Sequence, residues 1–146
     1  MKVTIIKADE RHRAEIDRLV REAKIGDGME GPIRNFWLAK IGDRVVGCAG
    51  LEFINDRAAV FTHLVVEKAQ RKQGIGSALI EKRFEAARKR GVKALALCTM
   101  YYHFNFYKRR GFRTVPRANL PEDIRTFEQF TAKRYMKCAV MLNEKF

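Results

Sequence analysis

The feature that most constrains the fold of this chain is a basic, glycine-containing turn between an apolar strand and an amphipathic helix. It lies in residues 65–84, which read VVEKAQRKQGIGSALIEKRF. A chain that passes through such a turn presents the first backbone N–H groups of the helix without intrahelical acceptors. These groups and the positive end of the helix dipole favour a bound phosphate. Gly74 and Gly76 have no Cβ, so a ligand can approach the backbone closely.

The turn alone leaves two other interpretations to weigh. It fits a strand–helix connection that needs glycine only for its geometry. It fits a dinucleotide-binding turn less well, because Leu79 stands where the pattern G-x-G-x-x-G needs a third glycine. The next predicted strand, which ends at Thr99, also carries no acid that could hold a ribose.

The positive charge of the chain is concentrated around this turn. The 146 residues carry a formal net charge of +13. Between Lys68 and Val115 there are thirteen lysines and arginines against two acids. This excess favours a polyanionic small molecule, a nucleic acid, or simply a solvated basic face. The aromatic residues are not interleaved with lysine and arginine on one strand face, which argues against nucleic acid.

Length and composition predict one folded domain over residues 1–146. No apolar run reaches the roughly 20 residues of a membrane helix, so we expect no membrane partner. Cys48, Cys98 and Cys138 are scattered through apolar strand patterns. This usage predicts reduced thiols in a cytoplasmic protein, without a disulfide framework. No group of His, Cys, Asp and Glu has the spacing of metal ligands, so no metal is expected.

Hydrophobic periodicity and turn residues predict an alternation of strands and helices along the chain. Asp9 is expected to cap the first helix. The strand, helix and strand around the glycine turn favour a parallel pair with a right-handed crossover. The predicted strands cover residues 2–7, 35–41, 44–54, 58–66, 92–99 and a final apolar run near the C-terminus. The predicted helices cover residues 9–24, 75–90, a short stretch before Gly111, and 121–130.

Two short motifs place these elements in a known family. The pattern R-x-x-G-x-G from Arg71 to Gly76 resembles the Q/R-x-x-G-x-G/A motif of the GNAT superfamily of acetyl-CoA-dependent N-acetyltransferases. The pattern FYxxxGF from Phe106 to Phe112 resembles a second signature of that superfamily, in the expected order. The resemblance, which covers about residues 2–115, implies an α/β (α+β) GNAT fold. That fold is a mixed, mostly antiparallel sheet of six to seven strands with a parallel, splayed central pair and about four flanking helices.

The C-terminal part narrows the resemblance. Leu120-Pro121, a helical stretch and Arg134-x-x-Lys137 before the last strand look like the acetyltransferase domain of N-acetylglutamate synthase and its short single-domain relatives. The match is partial, since Met136 stands where that domain has a serine. The resemblance implies acetyl transfer from acetyl-CoA to a primary amine of a small amino acid such as glutamate. A protein or peptide amine is the alternative within the superfamily, and a homodimer is a further expectation by analogy.

The resemblance also implies which residues hold the cofactor. In the family a bulge before the glycine turn frees backbone N–H groups that stabilise the developing oxyanion. The loop amides hold the diphosphate of coenzyme A. The corresponding residues of this chain are Leu64, Val65, Val66, Arg71, Lys72, Gln73, Gly74, Ile75, Gly76, Ser77, Asn105 and Tyr107.

The remaining roles are those of acid, base and acceptor ligand. Tyr107 matches the family position that protonates the departing thiolate. The glutamate that acts as base in the synthases is missing, because Val60 stands there, so Glu52 and His63 are the candidates. The carboxylates of an acidic acceptor would be held by basic side chains, namely Arg134, Arg34 and Lys137.

Several of these side chains also have purely structural explanations. Tyr107 could be an amphipathic packing residue at a helix end, and His63 a packed strand residue. Tyr101 and Tyr102 are expected to pack against the cofactor or the core.

Overall fold

The computed structural model describes residues 2–26, 28–133 and 136–146 of the chain. Seven strands and five α-helices lie in these residues. The strands are β1 (Val3–Lys7), β2 (Phe36–Ile41), β3 (Arg44–Phe53), β4 (Ala58–Val66), β5 (Ala94–Thr99), β6 (Arg113–Val115) and β7 (Ala139–Asn143). The helices are α1 (Arg13–Glu22), α2 (Ile75–Lys89), α3 (Phe104–Lys108), α4 (Glu122–Arg125) and α5 (Glu128–Thr131).

The strands form one mixed sheet in the order β1-β2-β3-β4-β5-β7-β6. β4 and β5 pair in parallel, with Ala58 opposite Ala94 and Val60 opposite Ala96. The pairs β1–β2, β2–β3, β5–β7 and β6–β7 are antiparallel. The predicted fold class, a mostly antiparallel sheet with a parallel central pair, is therefore confirmed.

The chain divides into two compact units, residues 1–52 with 61–85 and residues 53–60 with 86–146. In the first unit, α1 buries Ile16, Leu19 and Val20, as its periodicity predicted, in a core with Leu38 of β2 and Cys48 of β3. The prediction of a single domain over residues 1–146 stays a prediction.

The predicted first helix begins as a 3₁₀ turn, Glu10–His12, before α1. Asp9 caps it, because its carboxylate accepts from the Arg11 N–H at 2.9 Å. His12 Nδ1 in return accepts from the Asp9 N–H at 3.1 Å, which completes a capping box. The side chain of His12 therefore has a structural role as the second member of this capping box.

In the second unit, α4 and α5 pack on the sheet through Ile124 and Phe130, which share a core with Val140 of β7. The sequence predicted one helical stretch over residues 121–130, whereas the structure breaks it at Phe127, whose ψ is 140°. The Thr126 hydroxyl donates to the Glu122 carbonyl at 3.1 Å at the end of α4. No helix in the described residues is long and apolar enough to cross a membrane.

A carboxylate in this unit gives the stability of the chain a predicted pH dependence. Asn55 Nδ2 donates to Asp123 at 2.9 Å, and the Arg57 guanidinium also donates to it. Burial alone would raise the pKa of Asp123, but these hydrogen bonds outweigh it and the pKa lies below its ordinary value. Such a group stabilises the fold above its unfolded pKa, and the contribution is lost as the pH falls through the lower folded pKa.

We therefore expect Asp123→Asn to lower the free energy of unfolding at pH 7 by up to about 1 kcal/mol, since solvent screens the pair. The difference from the unsubstituted chain should shrink in urea titrations as the pH falls from about 4, the ordinary pKa of this carboxyl group, through the lower folded pKa of Asp123. Asp56→Asn, at an exposed neighbour of Arg57, is the control. An Asp123→Asn effect that is independent of pH would contradict this assignment.

Candidate functional site

The end of β4 departs from regular strand geometry at His63. Its φ is +49°, in the left-handed region that non-glycine residues adopt rarely. The Cys48 thiol donates to the His63 carbonyl at 3.4 Å, and the His63 ring lies 5.6 Å from the Phe36 ring. An irregular residue inside a strand is typical of a bulge. It stands directly before Leu64–Val66, the stretch for which the oxyanion donors were predicted.

The glycine turn is an exposed loop that leads into a buried helix start. Residues 71–74 are exposed, whereas Ile75, the first residue of α2, is 2% exposed. The intrahelical ladder begins with the bond from the Ala78 N–H to the Gly74 carbonyl, at 3.0 Å. The N–H groups of residues 75 and 76 therefore stand at the positive end of a 15-residue helix. This is the geometry that a phosphate-binding loop requires.

The shape of the loop is set by unusual backbone angles and by side-chain bonds. Lys72 and Gly74 both have positive φ, +68° and +78°. Arg71 Nε donates to the Val66 carbonyl at 3.1 Å, and Gln73 Nε2 donates to Gln70 Oε1 at 2.9 Å. A Cβ added at Gly74 would meet nothing within 4 Å, so the space beside this backbone is open. Of the predicted cofactor residues, Arg71, Lys72, Gln73 and Gly74 are thus exposed together, whereas Ile75 is buried and Gly76 and Ser77 are half-buried.

Neither candidate base is singled out by its surroundings. Glu52 is exposed near the end of β3, and His63 is half-buried against Phe36. Both belong to the first unit. The choice between them stays a prediction.

The second motif forms a tight helix end in the second unit. Tyr107 of α3 is 8% exposed, and its ring contacts Phe106 and Phe112 edge-on, at centroid distances of 5.1 and 5.8 Å. Gly111 has φ +93°, and a Cβ there would lie 2.9 Å from the Asn143 amide nitrogen. The glycine of the motif is therefore needed for both its backbone angle and its packing. Asn105, also on α3, is exposed.

The basic side chains that were predicted to hold the carboxylates of the acceptor substrate are placed as follows. Arg34 is exposed before β2, and Lys137 is exposed before β7. Arg134 lies outside the described residues. Tyr101 and Tyr102 are 75% and 65% exposed, so they do not pack in the core, and their packing against the cofactor stays a prediction. They lie in a 3₁₀ turn after β5, where their rings contact each other edge-on at 5.5 Å.

Two arginines that the sequence reasoning did not single out make structured contacts. Arg83 of α2 is fully buried; its guanidinium lies 4.0 Å from the Phe61 ring and Nη1 donates to the Gly50 carbonyl at 3.3 Å. Arg117 donates from Nη1 to the Phe130 carbonyl at 3.2 Å and from Nη2 to the Cys138 carbonyl at 2.7 Å. It thereby joins the two ends of the segment 131–137, which contains two of the predicted acceptor ligands.

Two cysteines of the chain are buried deeply enough that their thiols stay protonated at neutral pH. Burial raises the pKa of Cys48 to about 12 and that of Cys98 to about 11. A thiol with so high a pKa is a poor nucleophile, because the thiolate is the reactive form. These two residues are therefore explained by packing and not by covalent catalysis.

Residues 32–114 match the family model described as the acetyltransferase (GNAT) domain. An uncharacterised N-acetyltransferase of Chlorobaculum tepidum is 29% identical to this chain over 92 residues. That match covers 63% of this chain and 58% of the relative, so the chain spans less than two thirds of the relative's length.

Solved structures share the fold. N-acetylglutamate synthase from Neisseria gonorrhoeae, complexed with coenzyme A and N-acetyl-glutamate, has a TM-score of 0.79 at 20% identity, and the match covers 98% of this chain and 35% of the synthase. Rv2747 from Mycobacterium tuberculosis, in complex with CoA and NLQ, has a TM-score of 0.79 at 19% identity, covering 98% and 99% of the two chains.

Proposed function

The chain belongs to the GNAT acetyltransferase family, and from that premise we propose that it transfers the acetyl group of acetyl-CoA to a primary amine. The observation that carries this proposal is the exposed loop of residues 71–74 at the start of α2. Its backbone and its helix dipole suit the diphosphate of coenzyme A. Arg71 and Lys72 add positive charge beside it.

The proposed reaction is a direct transfer in a ternary complex. The neutral amine nitrogen attacks the acetyl carbonyl carbon, so a C–N bond forms and the C–S bond breaks. The nitrogen loses a proton and the departing thiolate gains one, which leaves an N-acetyl product and free coenzyme A. Backbone N–H groups of Leu64, Val65 and Val66 would stabilise the oxyanion of the tetrahedral intermediate.

The proton transfers are assigned to side chains of the chain. Tyr107 would donate its hydroxyl proton to the sulfur, since a phenol can act as an acid toward a thiolate. Glu52 or His63 would accept the amine proton, directly or through a water molecule. Arg134, Arg34 and Lys137 are proposed to hold the carboxylates of the acceptor.

We propose a small amino acid, glutamate first, as the acceptor. The support is that two solved structures with this fold carry coenzyme A together with N-acetyl-glutamate or with NLQ. A peptide amine is the second candidate. It is favoured by the exposure of Tyr101 and Tyr102, because tyrosine is enriched where proteins contact one another.

A panel of amines mixed with the chain and acetyl-CoA tests the acceptor, with free thiol as the readout. Thiol release with glutamate supports the first candidate. Release only with peptides supports the second. Silence with all twenty amino acids and with peptides, in a chain that still binds coenzyme A, would contradict acetyl transfer to these amines.

Two further expectations, on localisation and on oligomeric state, remain predictions. The protein is proposed to act in the cytoplasm as a homodimer. A basic module that binds nucleic acid without catalysis is the alternative from another class, and its binding would weaken steeply with salt.

Tyr107→Phe is expected to lower kcat about tenfold or more while leaving the Kd for coenzyme A unchanged. Phenylalanine keeps the edge-on ring packing with Phe106 and Phe112, so the variant should remain folded. Steady-state kinetics and calorimetry with coenzyme A measure the two quantities. Tyr102→Phe, at an exposed ring, is the matched control. A normal kcat in Tyr107→Phe would remove the acid role.

A further inference from the structure

Glu67 is the first residue after β4, and its side chain is a junction between three elements of the first unit. Only 12% of this side chain is exposed. Its carboxylate accepts from Arg18 Nη1 of α1 at 3.0 Å. It also accepts from Arg44, at the start of β3, through Nε at 3.2 Å and Nη2 at 2.8 Å. Two guanidinium groups thus donate hydrogen bonds to one carboxylate that is largely buried.

The backbone of Glu67 is fixed as well. Its N–H donates to the Val46 carbonyl of β3 at 2.8 Å, and its carbonyl accepts from the Gln70 N–H at 2.8 Å. Arg18 Nη2 donates in addition to the Val45 carbonyl at 2.9 Å, which ties the same guanidinium to β3. The point at which the chain leaves β4 and enters the glycine loop is therefore held from α1 and from β3.

We propose that Glu67 is a positioning residue for the diphosphate of acetyl-CoA. The inference rests on the proposed function, and it assigns to Glu67 no contact with the cofactor. The loop presents backbone N–H groups, and such donors act well only when their positions are fixed in advance. Residues 71–74 are exposed and gain little rigidity from burial. Their position depends on the anchor at Glu67 and on the bond from Arg71 to the Val66 carbonyl.

Glu67→Gln tests the proposal, because it keeps the size of the side chain and removes the charge that draws the two arginines together. We expect its Kd for coenzyme A, measured by calorimetry, to rise about tenfold. Glu22→Gln is the matched control. Glu22 also pairs with Arg18, at 3.2 Å, but it lies at the end of α1 and makes no bond to the loop. It should change the Kd less than about twofold.

A second ligand separates positioning from general damage. Pantetheine lacks the diphosphate, so its Kd, measured by NMR titration, should be the same in Glu67→Gln and in the unsubstituted chain. Equal losses for coenzyme A and pantetheine would overturn the proposal, as would an unchanged Kd for coenzyme A in a folded variant.

Two further outcomes are also decisive. If Glu67→Gln does not fold, Arg44→Ala replaces it as the test, at a side chain that is 66% exposed. Because this variant loses roughly one surface ion pair, we expect its Kd for coenzyme A to rise two- to threefold. An unchanged Kd in Arg44→Ala would overturn the proposal. If the unsubstituted chain itself does not bind coenzyme A, the proposed function fails, independently of Glu67.

Discussion

Replacing Gly74 by valine should weaken the binding of coenzyme A by about a hundredfold or more. Gly74 has φ +78°, and a β-branched residue is strongly disfavoured at such an angle. The variant must either carry the strain or move the loop backbone. A shift of about 1 Å in the N–H groups at the start of α2 is enough to spoil their alignment with a diphosphate. Calorimetric titration with coenzyme A measures the loss.

The chain offers a control with the same local change. Gly91, two residues after α2, has φ +77°, and an added Cβ would also meet nothing within 4 Å. Gly74→Val and Gly91→Val should therefore lose similar stability in urea, on the order of 1–3 kcal/mol. Only Gly74→Val should lose affinity for coenzyme A. Equal affinity in the two folded variants would show that the loop does not hold the diphosphate.

The same pair of variants tests the nucleic-acid alternative. Binding to a DNA duplex that weakens steeply with salt and is equal in both variants would depend on the basic surface alone. If the chain showed such binding and no affinity for coenzyme A, a nucleic-acid module would replace the transferase proposal.

The strand–loop–helix core of the site could be predicted because its signals are local. β4 spans Ala58–Val66, as predicted, and α2 begins at Ile75, as predicted. An apolar run, a pair of glycines and a helical apolar stripe within thirty residues determine these elements without reference to the rest of the chain. The apolar stripe of α2 is also as predicted, with Leu79, Ile80 and Phe84 buried.

The contacts that hold the site could not be predicted, because they join residues far apart in the sequence. Glu67 meets Arg18 and Arg44 only in the folded chain. Arg83 follows Leu79 by four positions and Ile80 by three, so its place on the buried face was present in the helical periodicity. Because the residue is charged, the sequence alone favours an exposed position for it. A buried arginine needs partners such as the Phe61 ring, and no local sequence pattern identifies them.

Gly50 illustrates a signal that the sequence contains but that only the packing explains. It lies inside β3, where a glycine often marks a close approach of other groups. A Cβ at Gly50 would lie 2.4 Å from the Thr62 hydroxyl oxygen and 2.5 Å from Cε2 of the Phe36 ring. Phe36 is itself buried, at 2% exposure, in the core of the first unit. The ring cannot move without displacing its neighbours.

Gly50→Ala is therefore expected to lower the free energy of unfolding by about 2–3 kcal/mol, at the upper end of what overpacking costs in a dense core. Urea denaturation followed by circular dichroism measures it. Phe36→Leu removes the ring atoms that the new methyl group would strike, so the two changes should couple. We expect the double variant to be more stable, by about 1 kcal/mol, than the sum of the single effects predicts. Strict additivity would show that the loss in Gly50→Ala does not arise from the contact with Phe36. A loss below about 0.5 kcal/mol would mean that β3 can shift to accommodate the methyl group with little loss of stability.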